Sequence, residues 1–371
     1  YIEVDSINTK YYNVSKLNLI NVTLRDTLFM RAEFKGGKRN NDIYNLSFYH
    51  TINKDKQSVV GFKKSDITIK DTKWEINEKQ DRFNKFTFNN SLSYFDIDGL
   101  FINHGKQELS LSGYIKDSTQ KDLRLNFKDV DLAKITPDLD SLTFAGNVNG
   151  KLDLLQKNGS YLPNSTIIID NFKVNNFELG SLDASVTGNE NLTNYIVDVT
   201  IKNGSKLSLR AQGDISDIGS QPNIDVGITL NDFGLEPLNP MLAGVLSNIR
   251  GSMTGSINLN GNLNKPEIAG NLILNKSGFG IPYLNVDYSF ADRSSVTLKD
   301  QTFIFNQIQL TDTKFNSRGQ LEGSLSHVNF SNWQLDLILN TQRLLVLDTQ
   351  STDDALYYGT GFIGGLATFK G

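Results

Sequence analysis

Leu109-Ser-Leu-Ser-Gly113-Tyr-Ile115 carries an apolar residue at every second position, with a glycine on the apolar register. A period of two marks a strand with one dry and one wet face. The same pattern returns as Leu207-Ser-Leu-Arg-Ala-Gln-Gly213-Asp-Ile215 and as Phe315-Asn-Ser-Arg-Gly319-Gln-Leu321. Its downstream neighbours return too: Leu125-Asn-Phe127-Lys-Asp129 as Ile228-Thr-Leu230-Asn-Asp232, and Gly146-Asn-Val-Asn-Gly150 as Gly251-Ser-Met-Thr-Gly255. Copies lie roughly a hundred residues apart, too long for a single hairpin and suited to an array of strand sets. The chain therefore reads as one continuous array over 1–371: a diverged repeat (1–108), two repeats (109–206 and 207–314) and a partial one (315–371).

Composition narrows the function classes. Of the 371 residues 38% are hydrophobic, and no run approaches the ~18 apolar residues of a membrane-spanning helix. The opening residue is Tyr1, which suggests a piece of a longer protein. A net charge of −4 with singly scattered lysines gives no basic stripe, so nucleic acid is not an expected partner. The absence of cysteine excludes disulfides, thiol catalysis and thiolate metal sites.

Alternating segments such as Ile224-Asp-Val226-Gly-Ile228-Thr-Leu230 and Trp333-Gln-Leu335-Asp-Leu337-Ile-Leu339 are separated by Asn, Gly and Ser clusters, among them Asn203-Gly204 and Asn158-Gly159-Ser160. Connections this short favour antiparallel pairing, and strands of about 6 residues give on the order of 30 of them. Helical spacing appears only around prolines, over 132–142 and 235–247, where one short helix each is expected. Every strand has a dry face, yet no helical layer is present to cover it. An open sheet in that position must curl, so the expected fold is all-β: an elongated, U-shaped, mostly antiparallel half-pipe with a hydrophobic interior groove. Glycines on the apolar register (Gly113, Gly213, Gly319) either crease the backbone or clear room for a guest, and a crease is the simpler reading.

Candidate chemistry is sparse. Gly359-Thr-Gly361-Phe-Ile-Gly364 matches a dinucleotide fingerprint in letters, but the following Leu366-Ala-Thr-Phe369 alternates like a strand and no acidic residue follows at the required distance. His50, His104 and His327 are dispersed, and Asp96-Ile-Asp98-Gly99 lacks the later glutamate of a calcium loop and reads as a turn. No catalytic residue, metal or cofactor is expected, and the protein reads as a non-enzyme. The functional candidates are inward aliphatic rows: Leu109, Leu111 and Ile115; Leu207, Leu209 and Ile215; Ile257 and Leu259; Phe315 and Leu321; Leu335, Leu337 and Leu339. Such rows can line a groove for acyl chains, at about 0.8 kcal/mol per buried CH₂.

Several segments resemble the TamB proteins, the translocation and assembly module subunit of the AsmA-like group, in the form found in Bacteroidota. They are Leu28-Phe-Met-Arg-Ala-Glu-Phe-Lys-Gly-Gly37, Ser58-Val-Val-Gly-Phe-Lys-Lys-Ser65, Ile249-Arg-Gly-Ser-Met-Thr-Gly255, Ile281-Pro-Tyr-Leu-Asn-Val-Asp287 and Tyr357-Tyr-Gly-Thr-Gly-Phe-Ile363. The resemblance implies a β-taco in the periplasm, anchored in the inner membrane by an N-terminal segment outside this chain. It further implies a meeting with an Omp85-family outer-membrane barrel of the TamA or BamA kind, and phospholipid as cargo. The expected function is movement of phospholipid between the two membranes in support of outer-membrane biogenesis. The alternatives are a chaperone-like scaffold for outer-membrane barrels that works through exposed strand edges, and a surface stalk of β-repeats.

Overall fold

The computed structural model describes residues 1–9, 13–37, 41–80, 82–117, 119–136, 142–157, 160–188, 194–216, 222–263, 265–328, 331–351 and 358–371. Among them the alternating segments form an antiparallel sheet of 25 strands. The first half comprises β1 (Ile2–Asn8), β2 (Asn13–Leu24), β3 (Thr27–Gly36), β4 (Asp42–Ile52), β5 (Ser58–Phe62), β6 (Ser65–Ile69), β7 (Thr72–Ile76), β8 (Lys85–Phe88), β9 (Tyr94–His104), β10 (Gln107–Lys116), β11 (Gln120–Asp131) and β12 (Phe144–Lys157). The second comprises β13 (Ser160–Val174), β14 (Phe177–Gly188), β15 (Asn194–Asn203), β16 (Lys206–Ser216), β17 (Asn223–Gly234), β18 (Ser247–Asn262), β19 (Glu267–Ile281), β20 (Val286–Phe290), β21 (Ser294–Lys299), β22 (Thr302–Asp312), β23 (Arg318–Val328), β24 (Ser331–Thr349) and β25 (Gly359–Lys370). The all-β antiparallel class expected from the alternation is what forms. The strands are fewer and longer than the sequence estimate, because β-bulges carry the chain past points where its apolar phase breaks.

The chain divides into two units. The first is Tyr1–Pro137, Ala145–Asp170 and Ala184–Leu192, and the second is Asp138–Phe144, Asn171–Asp183 and Thr193–Gly371. In the first unit direct pairing runs Leu28, His50, Val60, Phe86, Ile97, Gly113, Leu123 and Leu154 into one cross-strand row. In the second, a row passes through Ile201, Leu209, Leu230, Gly255, Leu272, Val296, Phe305, Gly323, Leu337 and Phe369. Directly opposed residues share a face, so the second row is a continuous apolar line and the first is one interrupted at His50, which bonds to Ser58 (3.1 Å).

The inward glycines are creases. A Cβ on Gly113 would collide with the Asp122 carbonyl, on Gly213 with that of Asp225, on Gly255 with that of Asn271, and on Gly323 with that of Asp336. The neighbouring strand has closed over the space a side chain would need, so the glycines bend the sheet and do not clear a path for a guest. Gly319 differs from its expected role. It is crowded by the Leu339 and Leu344 side chains, and the crease of its strand falls four residues later, at Gly323.

The two expected helical segments are modest. The first is a single turn, α1 (Leu132–Ile135), capped by Asp131 accepting from the Ala133 amide; the rest of that excursion, with Pro137 and Leu139, lies outside the described residues. The second holds a 3₁₀ turn at Glu236–Leu238 followed by irregular turns. Pro240 has no amide to continue a helix, and Asn239 fastens the excursion to β18 by donating to Ile249 O (2.8 Å) and accepting from its amide (2.7 Å).

Candidate functional site

The second unit holds the longest one-sided surface. Beside the row through Leu230 run two more: Val199, Ala211, Ile228, Ile257, Gly270, Leu298, Phe303, Leu325 and Leu335; and Val197, Gly213, Val226, Leu259 and Ile268. None of the three rows contains a charged or hydrogen-bonding side chain. The intervening residues on β17–β19, such as Asp225, Gly227, Thr229, Ser256, Asn258, Ala269 and Asn271, are exposed on the other face. Ion pairs stay with that polar pattern, as in Arg210–Asp198 (2.9 Å) and Lys206–Asp232 (2.7 Å). Leu230, Leu272 and Leu298 form a buried centre packed by Leu209, Ile228, Phe233, Met253, Ile257, Ile268 and Phe303. Toward β24 and β25 the apolar face opens, with Leu335 at 37% and Phe369 at 47% exposure.

One end of this surface is filled by the protein itself. β20 pairs with β19 and β22, and β24 with β23 and β25, yet Val286, Tyr288, Leu310, Leu339, Leu344 and Leu345 make one buried cluster. The Tyr288 hydroxyl donates to Leu345 O at 2.6 Å, and the Asn285 amide donates to Asp348 O at 2.6 Å, tying the two strands together. Burial, with the nearby Asp312 charge adding to it, pushes the Tyr288 phenol up to about 12, so it remains a neutral donor. Asp312 itself is fully buried. Desolvation alone would raise its carboxyl, but the Ser317 hydroxyl and the amides of Phe315 (2.7 Å), Ser317 (2.5 Å) and Lys314 (3.1 Å) donate to it and hold it below the usual carboxylate range.

The candidate residues separate accordingly. Leu209, Ile215, Ile257, Leu259, Leu321, Leu335, Leu337 and Leu339 fall on the apolar rows of the second unit, Ile215 through its pairs Tyr195 and Ile224, and Leu321 through Ile308 and Leu339. Leu109, Leu111 and Ile115 share one face of β10 in the first unit, paired with Ile102, Leu100 and Phe95. Leu339, at 6% exposure, belongs to the sealed cluster and not to open surface. Leu207 leaves the row, because a bulge at Ser208 shifts the register and sets Leu207 against Lys202. Phe315 is not in a strand at all; it sits in the Asp312 turn, 47% exposed, edge-on to Phe362 at 5.4 Å.

The other motifs resolve as structure. Gly359–Gly364 begins β25, so no helix opens on it and the dinucleotide match is a strand. Asp96-Ile-Asp98-Gly99 is not a turn: it lies within β9, where Asp98 pairs with Lys85 (3.0 Å) and Asn84 holds the irregularity by accepting from the Phe101 amide (2.7 Å). Among the described residues no three His, Asp or Glu converge as a metal group would require. His327, its basicity lowered by burial, packs at a tilt against Phe303 (5.7 Å) and Trp333 (4.8 Å), two rings that stack on each other at 6.3 Å. Residues 61–274 match the family model described as TamB, N-terminal domain. No curated protein and no solved structure matches the chain.

Proposed function

Because the chain belongs to the TamB family, with a part in outer-membrane assembly or lipid transport, we propose that it is a non-enzymatic carrier whose apolar rows receive phospholipid acyl chains between inner and outer membranes. The observation that supports this reading is the trio of uncharged rows across β15–β24, drawn from strands whose opposite positions are mostly polar. A 16-carbon chain laid on such a face gains roughly 10 kcal/mol at about 0.8 kcal/mol per CH₂. That gain is similar at each step along the rows, so movement costs little net free energy. Head groups stay in water, which removes the need for a charged pocket. Attachment to the inner membrane and engagement of an Omp85-type barrel belong to the same proposal.

Leu337→Arg tests it, since Leu337 is half-buried on the open stretch of the row. Lipid transfer between donor and acceptor vesicles should fall about tenfold or more while the circular dichroism spectrum is retained. Transfer at the parent rate removes the conduit reading. A second reading, a scaffold that pairs with nascent outer-membrane strands, rests on the sheet's edges: among the described pairings β1 meets only β2, and β25 only β24. Crosslinks from β25 to a substrate strand, with none from Leu337, would favour it.

A further inference from the structure

Strand β2 departs from the rule that governs the rows. Leu19 pairs with Ala32 on one face, while Ile20, Val22 and Leu24 alternate on the other, at 50%, 61% and 63% exposure. Direct pairing aligns Val22 with Phe29, Tyr49 and Gly61, and Ile20 with Arg31 and Ser47. In β17–β19 the positions away from the apolar rows are Asp, Asn, Thr and Ser in most cases. On the Leu19 face Asn21 and Thr23 follow, so from Ile20 onward the apolar phase of β2 passes to the exposed side, the reverse of what burial in the sheet's own rows calls for. Exposed contiguous apolar surface of this kind marks an interaction site.

From this we infer that the β2–β4 face carrying Ile20, Val22 and Phe29 docks a protein segment with aliphatic or aromatic anchors flanked by carboxylates. The inference goes beyond the carrier reading and concerns the face that reading does not use. Three observations select the occupant. A concavity of about 240 Å³ is lined by Ile20, Val22, Phe29, Ser47, Arg31 and Lys63 among others, a size suited to anchor side chains. The charged residues lining it are two cations and no carboxylate. Both cations are available to a partner: Arg31 pairs with Glu33 only through an exposed contact (2.6 Å), and Lys63 lies over the Tyr49 ring at 5.5 Å. A second copy docking through the same patch would set these cations against one another. An anionic bilayer is a poorer match, because two cations on a chain of net charge −4 do not make a polybasic surface.

The test places a photo-crosslinking amino acid at position 24 of the full chain in its native cells, with position 229 on β17 as the exposed control. The expected result is an adduct, absent from the control, whose mapped segment carries apolar anchors beside Asp or Glu. Val22→Asp should lower its yield about tenfold and Lys63→Glu about fivefold, and lysines in place of the partner's carboxylates should restore the Lys63→Glu yield. Both substitutions are at exposed positions, and an unchanged circular dichroism spectrum separates lost docking from lost folding. An adduct to lipid alone, an adduct to a second copy, yields no higher than the control, or indifference to charge reversal overturns the inference.

Discussion

β17–β19 of the second unit and β2–β4 of the first use the same alternation to different ends. In β17–β19 the apolar phase keeps mostly to one face, and there Leu230, Leu272 and their neighbour Leu298 pack together and reach 4–8% exposure. In β2–β4 both phases carry apolar residues, and the second remains open at Ile20, Val22 and Leu24. One-sided alternation thus gathers a dry surface where the sheet bends at its glycines, whereas apolar residues on the second face leave a demand that the neighbouring strands do not meet. The same residue type, valine, has opposite weight in the two regions.

The sharpest test of that contrast is Val226→Asp, at 6% exposure, which places an uncompensated charge on a dry row. A loss of about 4 kcal/mol or more is expected in urea denaturation. Gly323→Val comes next. Its φ of +124° and the Asp336 carbonyl closing over it leave no position for a side chain, so about 3 kcal/mol should be lost. By contrast Gly227→Ala, whose new methyl would meet nothing nearer than 3.6 Å, should be close to neutral. Tyr288→Phe removes the hydrogen bond to Leu345 O and should cost about 1 kcal/mol at neutral pH.

The pH dependence of the sealed cluster has two limbs. Because the phenol of Tyr288 is raised to about 12, its contribution is whole below the unfolded value near 10 and is lost as pH climbs from about 10 toward 12. Tyr288→Phe should flatten that alkaline decline. Asp312, lowered in the folded state, stabilises above the unfolded carboxylate value of about 3.9 and loses that contribution as pH falls through its folded value. Asp312→Asn should remove this share of the acid limb, read as a smaller stability difference between pH 6 and pH 3. A small effect is the most telling for the comparison: Val22→Asp should change stability by no more than about 0.5 kcal/mol. A large loss there would mean that the β2–β4 face is already core.

Much of this was legible because a period of two maps directly onto faces. The rows through Leu209, Ile257, Leu259 and Leu337 follow from parity alone, and the proline-marked excursions announced themselves by a change of period. What parity cannot show is where it resets. Ser208 takes one extra place in β16 and turns Leu207 away, and no side-chain type at 208 announces that. Phe315 occupies an apolar phase in sequence but falls in a turn dictated by Asp312, whose control of four donors is a three-dimensional fact. The sealing of Leu339 depends on β20 meeting β24 across strands that do not pair, and one-dimensional periodicity is blind to contacts of that kind. The apolar outer positions of β2 were visible as letters, but only pairing shows that Ile20 and Val22 oppose the face of Leu28 and Met30.

The cross-strand rows also act as a ruler for editing the protein. Each antiparallel neighbour reverses chain direction, so a row survives the removal or insertion of strands only in even numbers, with hairpins as the unit of change. One residue added inside a strand such as β17 would swap the faces of everything beyond it up to the next turn, whereas a whole hairpin excised between β16 and β19 would rejoin Leu209 to Leu272 without altering the face of either. Lengthening and shortening by whole hairpins is therefore the change of length this architecture tolerates.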